Sequence, residues 1–191
     1  MSNKFIYDKS EVKPYKLVLC YVIAAVLIVV DQLSKYLIVK DLGLFEQKVF
    51  IKDFFSFYYV RNTGSAFSMF ANRSWGIYLL SIVSLLMSFV IIYGIYKTLR
   101  HRSFFLKAAL VMLLAGALGN LIDRIRLRYV VDFLRFDFGD WTFPIFNFAD
   151  MCAVGGTAVL ILLVIFGNKS ADAYMQLFER KGKTDDPKDR S

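Results

Sequence analysis

The chain has 191 residues and a formal net charge of +8; 57% of its residues are hydrophobic and 17% aromatic. A soluble domain usually carries nearer ~45–50% apolar residues; here the surplus lies in long runs, which excludes an ordinary water-soluble domain and leaves too little chain for a separate one. The basic residues flank those runs instead of forming a stripe interleaved with exposed aromatic residues, so anionic lipid headgroups and bilayer orientation explain the charge, and nucleic acid is not an expected partner.

An α-helix rises ~1.5 Å per residue, so ~20 residues cross the apolar core of a bilayer. A basic tail over residues 1–16, with Lys4, Lys9, Lys13 and Lys16, precedes the first expected span at about 17–39. That run is long, no A-x-A site follows it, and charged residues continue it. It therefore reads as an uncleaved span and not as a removed signal peptide. Its outer half holds Asp31, Gln32 and Lys35. An acid near a span's centre costs at least ~2.5–3.5 kcal/mol, so such groups call for a reason. Asp31 and Lys35 are spaced i, i+4 and share a face, which suits either an ion pair that fixes packing or a functional pair.

The segment at about 40–74 is more than a linker. The stretch Phe54-Phe55-Ser56-Phe57-Tyr58-Tyr59-Val60 is aromatic and β-branched and suits a strand. Asn62-Thr63-Gly64 reads as a turn, and residues 65–70 alternate roughly, as a second strand would. The expectation is a small sheet resting on the outer membrane face, with its aromatic residues at headgroup level.

The second expected span, 75–96, contains no charge, and a short basic connection follows with Lys97, Arg100, Arg102 and Lys107. The third, 103–122, closes on Asn120, Asp123 and Arg124. Arg124 can snorkel to the headgroups or brace a carboxylate through charge-assisted hydrogen bonds. Asp132 follows in the apolar setting Val130-Val131-Asp132-Phe133, whereas Asp137 and Asp140 read as solvated loop acids. The fourth span, 145–166, carries one acid, Asp150, about one and a half turns from its outer end and on the same face as Asn147. The tail at 167–191 is polar, mixed in charge and expected to be frayed. An even number of spans puts both termini on one side. The bias of Lys and Arg places that side in the cytoplasm, with residues 40–74 and 123–144 outside. Cys20 and Cys152 both lie in apolar runs and suit packing better than a disulfide.

Asp150 has no Lys or Arg within one turn of its own helix, so its partner comes from elsewhere or it holds a proton. Two desolvated carboxylates near each other shift one another's ionisation. If Asp132 and Asp150 share one proton, the pair can activate a water and protonate a leaving amine, which is aspartic-protease chemistry and needs neither metal nor cofactor. His101, the sole histidine, sits between Arg100 and Arg102. No set of His and Cys ligands converges on zinc, and no nucleophile elbow, phosphate loop or dinucleotide motif is present. Taken alone, the residues leave three readings open: a catalytic aspartate pair, a proton or ion conduit, and a non-enzymatic assembly subunit whose polar groups serve packing.

Five segments, in order, resemble the lipoprotein signal peptidase (signal peptidase II) family. Asp31-Gln32-Leu33-Ser34-Lys35 resembles its D-Q-x-x-K motif, and Asn62-Thr63-Gly64-Ser65-Ala66-Phe67 its N-x-G loop. The run from Gly116 through Gly119 and Asn120 to Asp123-Arg124 resembles its G-A-x-G-N-x-x-D-R motif. Val131-Asp132-Phe133 and Phe146-Asn147-Phe148-Ala149-Asp150 resemble the segments carrying its catalytic aspartates. The resemblance implies an α-helical integral membrane protein with four transmembrane helices and a small extracytoplasmic β-sheet cradle. It implies an endopeptidase that cuts a prolipoprotein on the N-terminal side of a diacylglyceryl-modified cysteine. Asp132 and Asp150 would be the dyad. Asn62, Asn120, Arg124 and Asn147 would position substrate and dyad, and Asp31, Lys35 and Asp123 would support them. No cofactor is implied. The implied partners are the prolipoprotein, membrane lipids and the cyclic peptide globomycin, with the enzyme acting as a monomer.

Overall fold

The computed structural model describes residues 14–64, 75–98 and 103–166. Most of the N-terminal tail, the expected strand at 65–70, His101 and the C-terminal tail lie outside the described residues, as do Ser65, Ala66 and Phe67 of the loop motif.

Among the described residues four helices are long and apolar enough to cross a membrane: α1 (Pro14–Asp41), α2 (Gly76–Thr98), α3 (Phe104–Leu127) and α4 (Phe148–Phe166). With the small antiparallel sheet described below, they form the expected fold class. Half of the most apolar stretch of α3 is buried within the protein, against 17–22% for the other three, so α3 is the central post. Its start is capped by Ser103, whose hydroxyl accepts the Leu106 N–H at 3.2 Å. Its end is closed by Arg128 in the left-handed conformation, whose N–H returns to the Arg124 carbonyl.

Two kinds of packing hold the helices to α3. On one side Cys20 and Ala24 of α1, Ile91 and Ile95 of α2, and Leu106, Leu110, Val111 and Leu114 of α3 interlock. On the α4 side the contact is backbone to backbone. A Cβ on Gly116 would lie 2.6 Å from the Ala149 carbonyl oxygen, and one on Gly156 would lie 2.7 Å from that of Ala109. Lipid supplies no hydrophobic drive between helices, so close approach over small residues supplies the dispersion energy instead. Both cysteines are free and buried, as packing residues. Outward-facing residues such as Val22, Val26, Val29, Phe89, Val90 and Ile161 stay exposed in a number no soluble protein tolerates.

The sheet has the order β1-β2-β3-β4, all antiparallel, from β1 (Gln47–Ile51), β2 (Phe55–Asn62), β3 (Val130–Phe138) and β4 (Trp141–Thr142). It is thus shared by the two segments that flank the α2–α3 pair and is not confined to residues 40–74. Asp137 correspondingly sits in a strand, held by Arg135 at 3.0 Å and by Thr142, and is not a free loop acid. Ile38 and Leu42 at the end of α1 pack on Tyr59, Val131 and Phe133, which seats the sheet on the bundle end. The segment entering α4 is pinned too: the Phe133 and Leu134 amides both donate to the Phe146 carbonyl.

That pinning moves the start of the fourth helix. The sequence places Asp150 one and a half turns inside its span, but α4 begins at Phe148 and Asp150 lies in its first turn. Residues before Phe148 are held extended by β3, so Asn147 caps the helix instead of sharing a helical face with Asp150.

Candidate active site

The first turn of α4 is a reciprocal cap. Asn147 Oδ1 accepts the Asp150 N–H at 2.9 Å, and Asp150 Oδ2 accepts the Asn147 N–H at 3.2 Å. Another amide of that turn that the cap does not reach, the Ala149 N–H, is accepted by Asp31 Oδ1 of α1 at 2.8 Å. Asp31 reaches it because Gly119 leaves space: a Cβ there would lie 2.7 Å from Asp31 Oδ2.

Strand β3 delivers the second carboxylate. The register pairs Val60 with Asp132 and Asn62 with Val130, which sets the Asn62 side chain beside Asp132. Asn62 Nδ2 donates to Asp132 Oδ2 at 2.9 Å, and Asn147 Nδ2 donates to Asp132 Oδ1 at 2.7 Å. Asn147 Nδ2 also donates to Asn120 Oδ1 at 3.1 Å, and Asn120 Nδ2 donates to Asp150 Oδ1 at 2.7 Å. Two asparagine amides therefore link two carboxylates, and each carboxylate oxygen receives one N–H. Burial, followed by the nearby Asp150 charge, pushes Asp132 up to about 7. The donors from Asn62 and Asn147 and the Lys35 charge act in the opposite direction.

Beneath the pair lies a buried ionic cluster. Lys35 Nζ is 2.9 Å from Asp31 Oδ2, 3.0 Å from Asp123 Oδ2 and 3.1 Å from Asn120 Oδ1. Asp123 also accepts the Val131 N–H at 3.1 Å, tying the end of α3 to β3. Gln32 Nε2 lies between Asp31, Asp123 and the Gly119 carbonyl at 3.0–3.1 Å from each. Arg124 is buried, and among the described residues its Nε–H has no partner. Its side chain packs inside the protein.

All nine residues singled out from the sequence converge on one end of the bundle. The i, i+4 spacing accounts for the Asp31–Lys35 pair, but the Asp123–Lys35 pair joins different helices and has no signal in the sequence. Gln32, Gly116 and Gly119 stand in the quoted motifs without an assigned role; the structure gives the first a bridging role and the two glycines a spacing role. Among the described residues the buried charges collect at this end and do not spread through the bundle depth as an ion conduit would need.

Comparison with known proteins gives a consistent result. The family model for signal peptidase (SPase) II matches residues 23–166. A lipoprotein signal peptidase of Enterococcus faecalis is 41% identical over 155 residues, covering 81% of this chain and 92% of the relative. One from Symbiobacterium thermophilum is 38% identical over 164 residues, covering 86% and 98%. A bacterial membrane enzyme solved by the in meso method at 2.3 Å resolution superposes with a TM-score of 0.68 at 27% identity, covering 80% of this chain and 90% of that one.

Proposed function

Because this chain belongs to the signal peptidase II family, we propose that Asp132 and Asp150 are its catalytic dyad and share one proton. Its activity is that of the family, removal of the signal peptide from bacterial prolipoproteins. The observation that carries the dyad assignment is the asparagine relay, in which the side-chain amides of Asn147 and Asn120 tie the buried Asp132 carboxylate to the half-buried Asp150 carboxylate.

The chemistry follows from that state. The ionised carboxylate takes a proton from a water, whose oxygen attacks the scissile carbonyl carbon. The protonated partner gives its proton to the carbonyl oxygen, forming a neutral tetrahedral diol. A proton then passes to the leaving nitrogen, the C–N bond breaks, and the dyad returns to one proton. Fixed N–H donors on each carboxylate hold both in place through the cycle and need no reorganisation. Arg124, with a buried Nε–H to spare, and Asn62 orient the substrate carbonyl. Asp31, Lys35 and Asp123 hold the platform on which the dyad stands.

The substrate is a diacylglyceryl-modified prolipoprotein cut on the N-terminal side of the lipidated cysteine. Its signal helix and acyl chains lie in the bilayer, and its scissile bond lies near the interface where α3 and β3 meet. Two acyl chains can anchor it at ~0.8 kcal/mol per buried methylene, leaving the polar groups only to orient the bond. The basic connection after α2 supports an orientation with both termini cytoplasmic and the dyad and sheet near the outer face. The protein acts as a monomer in the bacterial cytoplasmic membrane and is blocked by globomycin.

The test is cleavage of a diacylglyceryl-modified prolipoprotein by purified wild type, Asp132→Asn and Asp150→Asn in detergent, with and without globomycin. Cleavage by wild type alone, stopped by globomycin, supports the reading. Cleavage by a folded Asp150→Asn variant removes the dyad.

A further inference from the structure

We infer that Lys35 is a positioning residue that acts on the dyad through Asn120, by fixing which way the Asn120 amide points. The inference rests on the dyad reading above.

An asparagine amide can turn by half a circle and exchange its donor for its acceptor with little change of shape. At Asn120 the two orientations differ in consequence. In the observed one, Oδ1 accepts from Lys35 Nζ at 3.1 Å and from Asn147 Nδ2 at 3.1 Å, while Nδ2 donates to Asp150 Oδ1 at 2.7 Å. In the reversed one, Nδ2 would face an ammonium and an amide donor, and Oδ1 would face a carboxylate. An ammonium has three donors and no acceptor, so Lys35 tolerates only the first.

Lys35 is itself held to that task. Its three N–H groups have three acceptors, Asp31 Oδ2, Asp123 Oδ2 and Asn120 Oδ1. None is left over, and the side chain is buried. Asn147 is held by a separate device, its Oδ1 being committed to the Asp150 N–H in the α4 cap. Among the described residues Asn120 has no such backbone anchor for its side chain. Its direction is set by what meets its two ends, the Asp150 carboxyl oxygen at Nδ2 and two donors at Oδ1, of which Lys35 is the charged one. Through Asn120, one ammonium thus gives Asp150 its side-chain N–H donor. It also leaves Asn147 Nδ2 an acceptor on one side while it donates to Asp132 on the other. A lysine placed only to neutralise Asp31 and Asp123 would not need that third contact.

The experiment compares Lys35→Met with Lys35→Gln, both purified in detergent, by kcat, KM and thermal midpoint. Both lose the charge that pairs Asp31 and Asp123, so both midpoints fall. Only Gln can still offer an N–H to Asn120 Oδ1. The expected result is a kcat for Lys35→Met about 10- to 100-fold below wild type, the scale of losing a partner that orients a functional group. In Lys35→Gln most of that loss is recovered, with KM within about threefold in both variants. Equal kcat losses in the two variants, following their midpoints, would overturn the inference. If neither folds, the same pair is read in an Asp123→Asn background, which relieves the unpaired carboxylate. Failure to fold there as well makes Lys35 a purely structural residue and also overturns it. The dyad reading fails separately, through an active Asp132→Asn or Asp150→Asn variant.

Discussion

Asp31 Oδ1 accepts the Ala149 N–H at 2.8 Å, so a carboxylate of the first helix closes the N-terminus of the last one. A helix N-terminus favours an anion, and this one is buried where water cannot substitute. The same carboxylate pairs with Lys35 through its other oxygen. Asp31→Asn keeps at most one of these contacts and turns its amide donor toward either the Ala149 N–H or the Lys35 ammonium. Breaking a buried pair from one side costs about 3–5 kcal/mol. The denaturation midpoint in detergent should fall accordingly, and cleavage should fall with it. An unchanged midpoint would show that α4 does not depend on this cap.

Asp132 also makes stability depend on pH. Its folded value, about 7, lies above the ordinary carboxylate value of about 4. Between these values the folded state binds more protons than the unfolded one. Its contribution is therefore fully present below about pH 4 and is lost as pH rises toward 7, at up to about 1.4 kcal/mol per pH unit. Asp132→Asn removes this titration. The variant should be inactive and more stable than wild type near pH 7, with a flatter profile over that window. Thermal midpoints measured every half unit of pH check the sign.

Asn62 donates to Asp132 Oδ2 and favours its ionised form. Asn62→Leu removes that donor, so Asp132 should hold its proton to higher pH. The alkaline limb of kcat/KM should move upward by about one pH unit, the size of one lost hydrogen bond to a charged group. A limb that stays in place while activity falls would mean that Asn62 serves substrate alone.

Gly116 faces the Ala149 carbonyl so closely that a methyl group would sit 2.6 Å from its oxygen. Gly116→Ala must push α4 off α3 and move Asp150 relative to Asn120. A loss of about 1–3 kcal/mol is expected from overpacking, with a larger proportional loss of kcat. Gly139, at a positive φ of 65° with nothing near a Cβ, is the control. Gly139→Ala should carry only local backbone strain and leave cleavage intact.

Much of this was legible because it depends on neighbours along the chain. Apolar length alone marks four membrane-crossing helices, and i, i+4 spacing alone brings Asp31 to Lys35. The aromatic run from Phe54 to Val60 reads as a strand and lies largely within β2. The sole acid of the fourth apolar run stands out because a lone carboxylate there is costly. What the sequence could not supply is every relationship between distant segments. The partner strand β3 mixes apolar and charged residues in a segment that also reads as a loop, and it is fixed as a strand by pairing with β2. The start of α4 is decided by the Phe146 bridge to β3, which holds Asn147 out of the helix and makes it a cap. The Lys35–Asp123 pair, the Asn120–Asn147 relay and the space over Gly119 exist only once three helices and a sheet meet at one bundle end. Residue type determined which groups would be costly to bury in a membrane. Tertiary structure decided which of them satisfy one another, because a hydrogen bond depends on positions within a few tenths of an ångström and spacing along one helix fixes only its own face.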